Sequence, residues 1–391
     1  LAPSVPEIER FGKVTVSGDS PRRPADVGQR PDQNLIGDKS SYPKPTGYFA
    51  IGGLLTGTRP CPIIGPQIDT VHLAANARFA TVRRLSGSPV DGKERAITEY
   101  RGTLTAERAQ AIISTNWTQF RDSGVVFLDE GWDFQVFEVD ANWIFRFPKR
   151  EESAARLTKE YQLLADLEEW VSLPIPNYQY YCESHEGSSW PFAGYKKIPG
   201  TPADVAETVD WPSVARQLGH FLAELHAYPV GRAAKAGVPD ERDRLAQWRG
   251  ESLTELDAVI GLPVDRRDLS SYLESDIPGR FDIPRLIHND LWAEHILIDP
   301  HTRRVSGIID WGDAAIGDPA VDLAGVYAWH GEQGLRDVLT HYTRTLDPDI
   351  IFRARYLAIC LAIHNIKLGQ DLGHALWIRA GQKALRWAFA T

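Results

Sequence analysis

Methionine is absent from all 391 positions of the chain. A chain this long ordinarily carries several, so short, internally consistent motifs carry more weight than spacings counted over long stretches. Cysteine is scarce: Cys61, Cys182 and Cys360 lie far apart and fit neither a disulfide scaffold nor a metal-ligand spacing. The expectation is free thiols in a reducing compartment. Positive excess is also missing, with 43 Lys and Arg against 52 Asp and Glu and a net charge of −9. Nucleic acid is therefore not expected as a partner. No apolar stretch approaches a membrane span, and the opening LAPSVPEIER lacks the basic flank and apolar run of a signal peptide. The expected setting is cytoplasmic, without a membrane partner. What remains is 43% hydrophobic and 24% charged, as in a soluble globular protein of two or three domains with room for a large core.

The composition shifts near Thr103. Residues 1–103 hold 23 of the chain's 58 Pro and Gly and carry a net charge of +4, while the remainder carries −13. A polar, Pro-dotted leader (1–47) reads as loop or disorder. YFAIGGLL (48–55) and CPIIG (61–65) read as short strands of a small β-rich module. No catalytic constellation lies in 1–103, and its fold is left unassigned. From residue 104 the pattern changes. LTAERAQAII (104–113) predicts a helix capped by Thr105. VVFLDEG, FQVFEV and WIFRF (125–131, 134–139, 143–147) alternate as strands of an antiparallel meander. A helix over 152–170 presents Leu157, Tyr161, Leu164 and Leu167 on one face, and strands are expected at 178–184 and 192–198. After Trp211 the pattern is mostly helical, beginning with the stripe in VARQLGHFLAELH (214–226). A strand-rich lobe (104–198) and a helical lobe (199–391), joined at 198–202, would leave a ligand-binding cleft between them.

The densest chemistry lies in RLIHNDLWAEHILIDPHTRRVSGIIDWGDAAIGDPAVDLA (285–324). Short apolar runs place His288, Asp290, His295 and Asp310 at their edges. Phosphoryl transfer needs a carboxylate to orient and deprotonate a hydroxyl, and groups that hold Mg2+ against phosphates. Asp290 suits the first role, and Asp310 with His295 suits the second. A hard cation prefers the carboxylate, so His295 is the weaker ligand. His288 reads as a brace of the same loop, and Asp290 could alternatively cap a helix starting at Leu291. Asp313, Asp318 and Asp322 read as structural turn and cap groups.

The pattern H-x-D-x-x-x-x-H (288–295) followed by I-I-D-W-G-D (308–313) resembles the catalytic and metal-binding motifs of the aminoglycoside and macrolide phosphotransferases, protein-kinase-like small-molecule kinases. It is most similar to the branch that phosphorylates an aminoglycoside 2''-hydroxyl. His295 stands where the wider kinase pattern has Asn, a departure common to both antibiotic-kinase branches. The resemblance covers 104–391 and implies an α+β bilobal protein-kinase-like fold. The catalytic residues it implies are Asp290 and His288, and the ligands of Mg2+ are His295 and Asp310. WIFRFPKREES puts Arg146 where relatives carry the phosphate-holding Lys, and Glu160 matches its acidic partner. PFAGYKKIPG resembles the inter-lobe hinge, which implies nucleotide contacts from the Lys196 carbonyl and the Ile198 amide. Leu297 and Ile309 would form the floor under the base. EGWDFQ (130–135) stands in place of the Gly-rich loop with one glycine only.

The implied reaction moves the γ-phosphate of ATP or GTP to a hydroxyl of a small, cationic acceptor, and antibiotic resistance follows. The acids of 203–285, including Glu251 and Glu255, would steer such an acceptor, or else are solvated helix faces. A macrolide or a metabolic alcohol such as choline, homoserine or a sugar is an alternative acceptor. A catalytically silent nucleotide-binding protein is an alternative of another class. A protein kinase is disfavoured because no activation segment separates IDWGD from DPAVDLA.

Overall fold

The structure is a computed structural model that describes residues 104–131, 133–185, 187–242, 245–275 and 283–390. All of them fall within one compact unit. The readings of residues 1–103 lie outside the described residues.

The first lobe begins with α1 (Ala106–Asn116), whose cap is Thr105: its side chain accepts the Arg108 amide at 3.3 Å. Then come β1 (Val125–Glu130), β2 (Phe134–Val139), β3 (Trp143–Pro148), α2 (Glu151–Leu167), β4 (Tyr178–Cys182) and β5 (Phe192–Lys196). The strands form one antiparallel sheet in the order β1-β2-β3-β5-β4. The three-residue β2–β3 loop (140–142) has positive φ at both Asp140 (51°) and Ala141 (56°), and the Asn142 amide closes it on the Val139 carbonyl at 3.0 Å. Alternation along β3 decides the faces. Phe145 and Phe147 pack with Ile112, Ile113, Trp117 and Phe120 of the α1 region, while Ile144 joins the larger core around α2. Arg146, two residues on from Ile144, shares its face.

The sheet β6 (Thr201–Pro202), β8 (Ile296–Ile298) and β9 (Val305–Ile308) continues the chain out of the hinge, since β6 pairs with β8. Between β6 and β8 come α3 (Trp211–Leu225), α4 (Val230–Lys235), α5 (Leu245–Leu256), α6 (Arg266–Glu274) and β7 (Arg285–Ile287). After β9, β10 (Ala315–Gly317) pairs with β7, and α7 (Ala320–Thr340), α8 (Ile350–Leu372) and α9 (Ala375–Ala388) complete the helical lobe. The apolar runs at 286–287, 296–298 and 307–309 are thus short buried strands. The helix predicted over 152–170 stops at Leu167, because Trp170 turns to donate its indole N–H to the Glu224 carbonyl, 3.0 Å away. Inside the helical lobe, buried Arg353 donates to Asp318 (2.7 Å) and Asp347 (2.6 Å), so Asp318 braces the fold as its structural reading requires.

The cysteines need a correction. Cys360 is a buried free thiol whose pKa burial raises to about 12, but Cys182 is disulfide-bonded. The expectation of free thiols fails at Cys182, and with it the cysteine argument for a reducing compartment. Among the described residues no helix is long and apolar enough to cross a membrane.

Candidate active site

Arg146 lies on the cleft side of β3, its side chain almost wholly buried. One guanidinium nitrogen donates to both carboxylate oxygens of Glu160 on α2 at 2.8 Å and to the Tyr178 hydroxyl at 3.1 Å. The other reaches across the cleft to Asp310 Oδ1 at 2.8 Å, and the guanidinium stacks on the Phe134 ring 4.0 Å from its centroid. Burial pushes the Glu160 carboxyl up and Arg146 pulls it down without fully offsetting that penalty. For Arg146, burial is outweighed by Glu160, and the cation is held firmly. With one guanidinium nitrogen bonded to both carboxylate oxygens, the pair stays charged.

Asp310, two residues beyond β9, has a left-handed conformation (φ 64°) that a residue with a Cβ adopts at a cost. Asn289, beside Asp290, has φ 69°. Both strained residues are held by their surroundings. The buried Asp322 carboxylate on α7 accepts the backbone amides of His288 (3.0 Å) and Asn289 (2.9 Å), and also binds His226 at 3.1 Å. His288 is fully buried. Its Nε2–H donates to the Ile309 carbonyl at 3.0 Å and its Nδ1 accepts the Asp290 amide at 3.3 Å. Burial holds its pKa down at about 4, so it stays neutral and braces the loop rather than facing the cleft. The Trp311 ring packs 4.6 Å from it.

His295 joins the two carboxylates. Its Nδ1 donates to the Asp290 carbonyl at 2.7 Å and lies 3.5 Å from Asp290 Oδ2; its Nε2 lies 3.6 Å from Asp310 Oδ2. Burial opposes its charge, but Asp290, Asp310 and Glu294 outweigh burial and raise it to about 9. For Asp290, burial dominates over the attraction of His295 and lifts the carboxyl to about 7. Burial also works against Asp310, yet Arg146 and His295 win and hold it at about 2. The Asp290 and Asp310 side chains keep 36% and 45% of their surface exposed, so both still face the open cleft. Among the described residues no cluster of three or more His, Cys, Asp or Glu is arranged to hold a metal ion unaided. Asp310 offers the carboxylate oxygen that a hard cation such as Mg2+ prefers, with phosphates and water to supply the remaining ligands, and the His295 imidazole is the poorer match.

The implied hinge residues lie together at the end of the sheet. Lys196 is exposed where β5 ends, opposite Trp143. Ile198 packs its side chain over Gly307, where a Cβ would lie 2.6 Å away. Leu297 is buried on β8, and the Ile309 amide donates to the His295 carbonyl at 3.0 Å. The EGWDFQ turn is anchored by charge. Asp133 accepts from Arg150 (2.5 Å), Ser153 (2.7 Å) and Arg156 (3.1 Å) at the start of α2.

Several site residues escape a reading by motif. Lys159 donates to the carbonyls of Gly312 (2.6 Å) and Ala314 (2.9 Å), and Arg156 pairs with Asp313 at 2.6 Å, so α2 clamps the turn after Asp310. Their signal was the helical spacing of 156, 159 and 160 on one helix. Tyr178 and Gly325 gave none. Gly325 on α7 faces the catalytic loop so closely that a Cβ would lie 1.8 Å from the Leu291 carbonyl oxygen. That neighbour is backbone and has nowhere to go. Gly325→Ala is expected to displace the loop, costing roughly 1–3 kcal/mol of stability and about 100-fold in turnover. Wild-type kinetics in this variant would show that α7 yields instead of the loop.

Residues 124–352 match the profile of the phosphotransferase enzyme family, APH, well over half of the chain. The chain belongs to this family. It is a phosphotransferase with an alcohol group as acceptor. The described lobes have the family's architecture, a sheet-based N-lobe and a helical C-lobe. The GDP complex of the aminoglycoside 2'-phosphotransferase-IIIa is 30% identical with a TM-score of 0.59, over 72% of this chain and 98% of that one. An uncharacterized Bacillus subtilis (strain 168) protein, YcbJ, is 27% identical over 55% of this chain and 73% of its own length. Viomycin phosphotransferase of Streptomyces vinaceus is 29% identical over 38% of this chain and 54% of its own length.

Proposed function

We propose that this phosphotransferase moves the γ-phosphate of ATP or GTP to a hydroxyl of an aminoglycoside, and so confers resistance to it. The observation that carries the reading is the placement of Asp290 and Asp310 on either side of His295, at 3.5 and 3.6 Å. Asp290 orients the acceptor hydroxyl and takes its proton as the oxygen attacks phosphorus. His288 holds the Asp290 amide in place. Asp310 and His295 would hold Mg2+, which when bound would offset phosphate charge. The His295 proton would leave as the cation enters. Arg146, held by Glu160, sits where the phosphates pass. The Lys196 carbonyl and Ile198 amide would meet the base over Leu297 and Ile309. The family relative's GDP complex supports a purine nucleotide donor. Nucleoside triphosphate and Mg2+ abound in the cytoplasm, which is where we place the reaction.

A cationic acceptor is supported by a pocket of about 120 Å³ between α5 and α8, lined by Glu251, Glu255, Trp248 and His364. Glu255 Oε1 pairs with His364 Nδ1 at 2.9 Å, which raises the His364 pKa, while Glu255 Oε2 is buried there without a hydrogen-bond partner. An ammonium group of an aminoglycoside would bond these acids and offset their charge, whereas a neutral alcohol could only hydrogen-bond to them.

Phosphate transfer from ATP and from GTP, with Mg2+, to a panel of aminoglycosides, macrolides and small metabolic alcohols tests the reading. One added phosphate on an aminoglycoside, seen by mass, is the expected product. Transfer only to a macrolide or a metabolic alcohol would replace the acceptor. Neither transfer nor nucleotide hydrolysis would leave a binding protein. The raised Asp290 carboxyl also sets a pH dependence. Its ionised form is the active one, so kcat/KM is expected to fall as pH drops through about 7 instead of through about 4. A profile flat down to about pH 5 would remove Asp290 from the base role.

A further inference from the structure

We propose that the helical lobe carries a second binding site, a pocket for a phosphate-class oxyanion walled by Arg285 and Arg344. The cavity has a volume of about 630 Å³ and shares no lining residue with the nucleotide or acceptor sites described above. Trp170, His220, Thr343 and Thr345 complete its polar wall.

Three observations point to an anion. The first is that neither guanidinium has a carboxylate partner or a hydrogen bond among the described residues. The other buried or half-buried arginines of this lobe each have a partner: Arg353 has Asp318 and Asp347, Arg249 binds the Glu274 carbonyl, and Arg266 and Arg355 bind the Val259 and Ala388 carbonyls, though each of these last two also keeps one buried unbonded nitrogen. The second is that Arg344 Nε is buried and unbonded, a donor whose desolvation nothing offsets. The third is that both cations line this one cavity, where burial and then the neighbouring Arg344 push the Arg285 pKa down. Like charges held this close repel, and a doubly charged oxyanion accepting from both forks would reverse that repulsion. The one carboxylate in the wall, Glu224, accepts the Ser172 amide at 2.7 Å. The cavity exceeds the size of a lone phosphate and leaves room for the organic part of a small phosphate ester.

The pocket backs onto the support of the catalytic loop. Tyr342, next to Thr343, hydrogen-bonds His226 Nδ1 at 2.9 Å, and His226 in turn binds Asp322, which holds the amides of His288 and Asn289. Arg285 opens β7, the strand that leads into His288.

Calorimetric titration of the full chain, without nucleotide or Mg2+, tests the site with inorganic phosphate and with glycerol phosphate as probes. Saturable binding is expected in the wild type. It should weaken about tenfold or more in both Arg285→Gln and Arg344→Gln, with Arg344→Lys in between. Tighter binding of glycerol phosphate would identify an ester as the ligand, and equal binding a free anion; either supports the site. No saturable binding in the wild type would overturn the proposal. So would affinity unchanged in both Gln variants, which would locate the anion elsewhere. Melting temperatures of the variants without phosphate separate lost binding from lost folding, and the Lys variant keeps the test open if a Gln variant does not fold.

Discussion

Asp290→Asn is expected to lower phosphate transfer by roughly 100- to 10,000-fold while nucleotide binding changes little. The amide keeps the shape of the carboxylate and its place beside His295, but it cannot accept the hydroxyl proton. The loop should survive the change, because it is held by groups other than the Asp290 side chain. Asp322 takes two of its amides, and His288 ties it to Ile309. Nucleotide affinity, followed by calorimetry, therefore serves as the control. A turnover within a factor of about ten of wild type would mean that proton removal is not the task of this carboxylate. The substitution also removes a negative charge from His295, so the imidazole should titrate lower, which NMR of that ring can follow.

The second large effect concerns Arg146, which pairs with Glu160 inside the first lobe and with Asp310 across the cleft. Arg146→Met leaves Glu160 buried without its cation, a loss of about 3–5 kcal/mol. For a chain of this size that lowers the melting temperature by roughly 10 °C. Transfer should fail as well, since Asp310 loses the contact that fixes it. The double variant Arg146→Met, Glu160→Met separates the two consequences. Removing both charges should recover most of the stability, because the uncompensated carboxylate is gone, and none of the activity. If the single variant melts like wild type, Glu160 takes up a proton at no cost and the ion pair is not what holds β3 to α2. If the double variant is active, the phosphates are held by other cations, Lys149 and Arg150 being the nearest in sequence.

The two strained residues explain why a bottom-up reading of the site went only part of the way. Asp310 and Asn289 occupy left-handed conformations, which Asp and Asn tolerate better than most residues with a Cβ but which nothing in the neighbouring sequence demands. They are stable because partners distant in sequence hold them: Asp322 lies 33 residues from Asn289, and Arg146 lies 164 from Asp310. The types and order of the chemical groups were legible from spacing, since apolar runs at 286–287 and 296–298 had to be buried and their polar neighbours had to sit at the edges. The direction in which each group points was not. His288 and His295 look alike in the motif, yet one is sealed behind the loop with both nitrogens engaged and the other bridges two carboxylates.

The sequence by itself determined the meander, the boundaries of the first three helices to within a few residues, and the place of Asp290 and Asp310 at the edges of buried apolar runs. Period-two and period-3.6 patterns and short motifs act over a few residues and need no knowledge of the rest of the chain. The resemblance to the kinase motifs implied that Arg146 and Glu160 belong together, and the structure pairs them at 2.8 Å. Only the tertiary structure decided that Lys159 and Arg156 clamp the turn after Asp310. It alone decided that Gly325 must lack a side chain to let Leu291 pass, and that Arg285 and Arg344 meet across a cavity. Each of these depends on elements brought together from across the chain, and burial then fixes the charge state and the cost of every group they enclose.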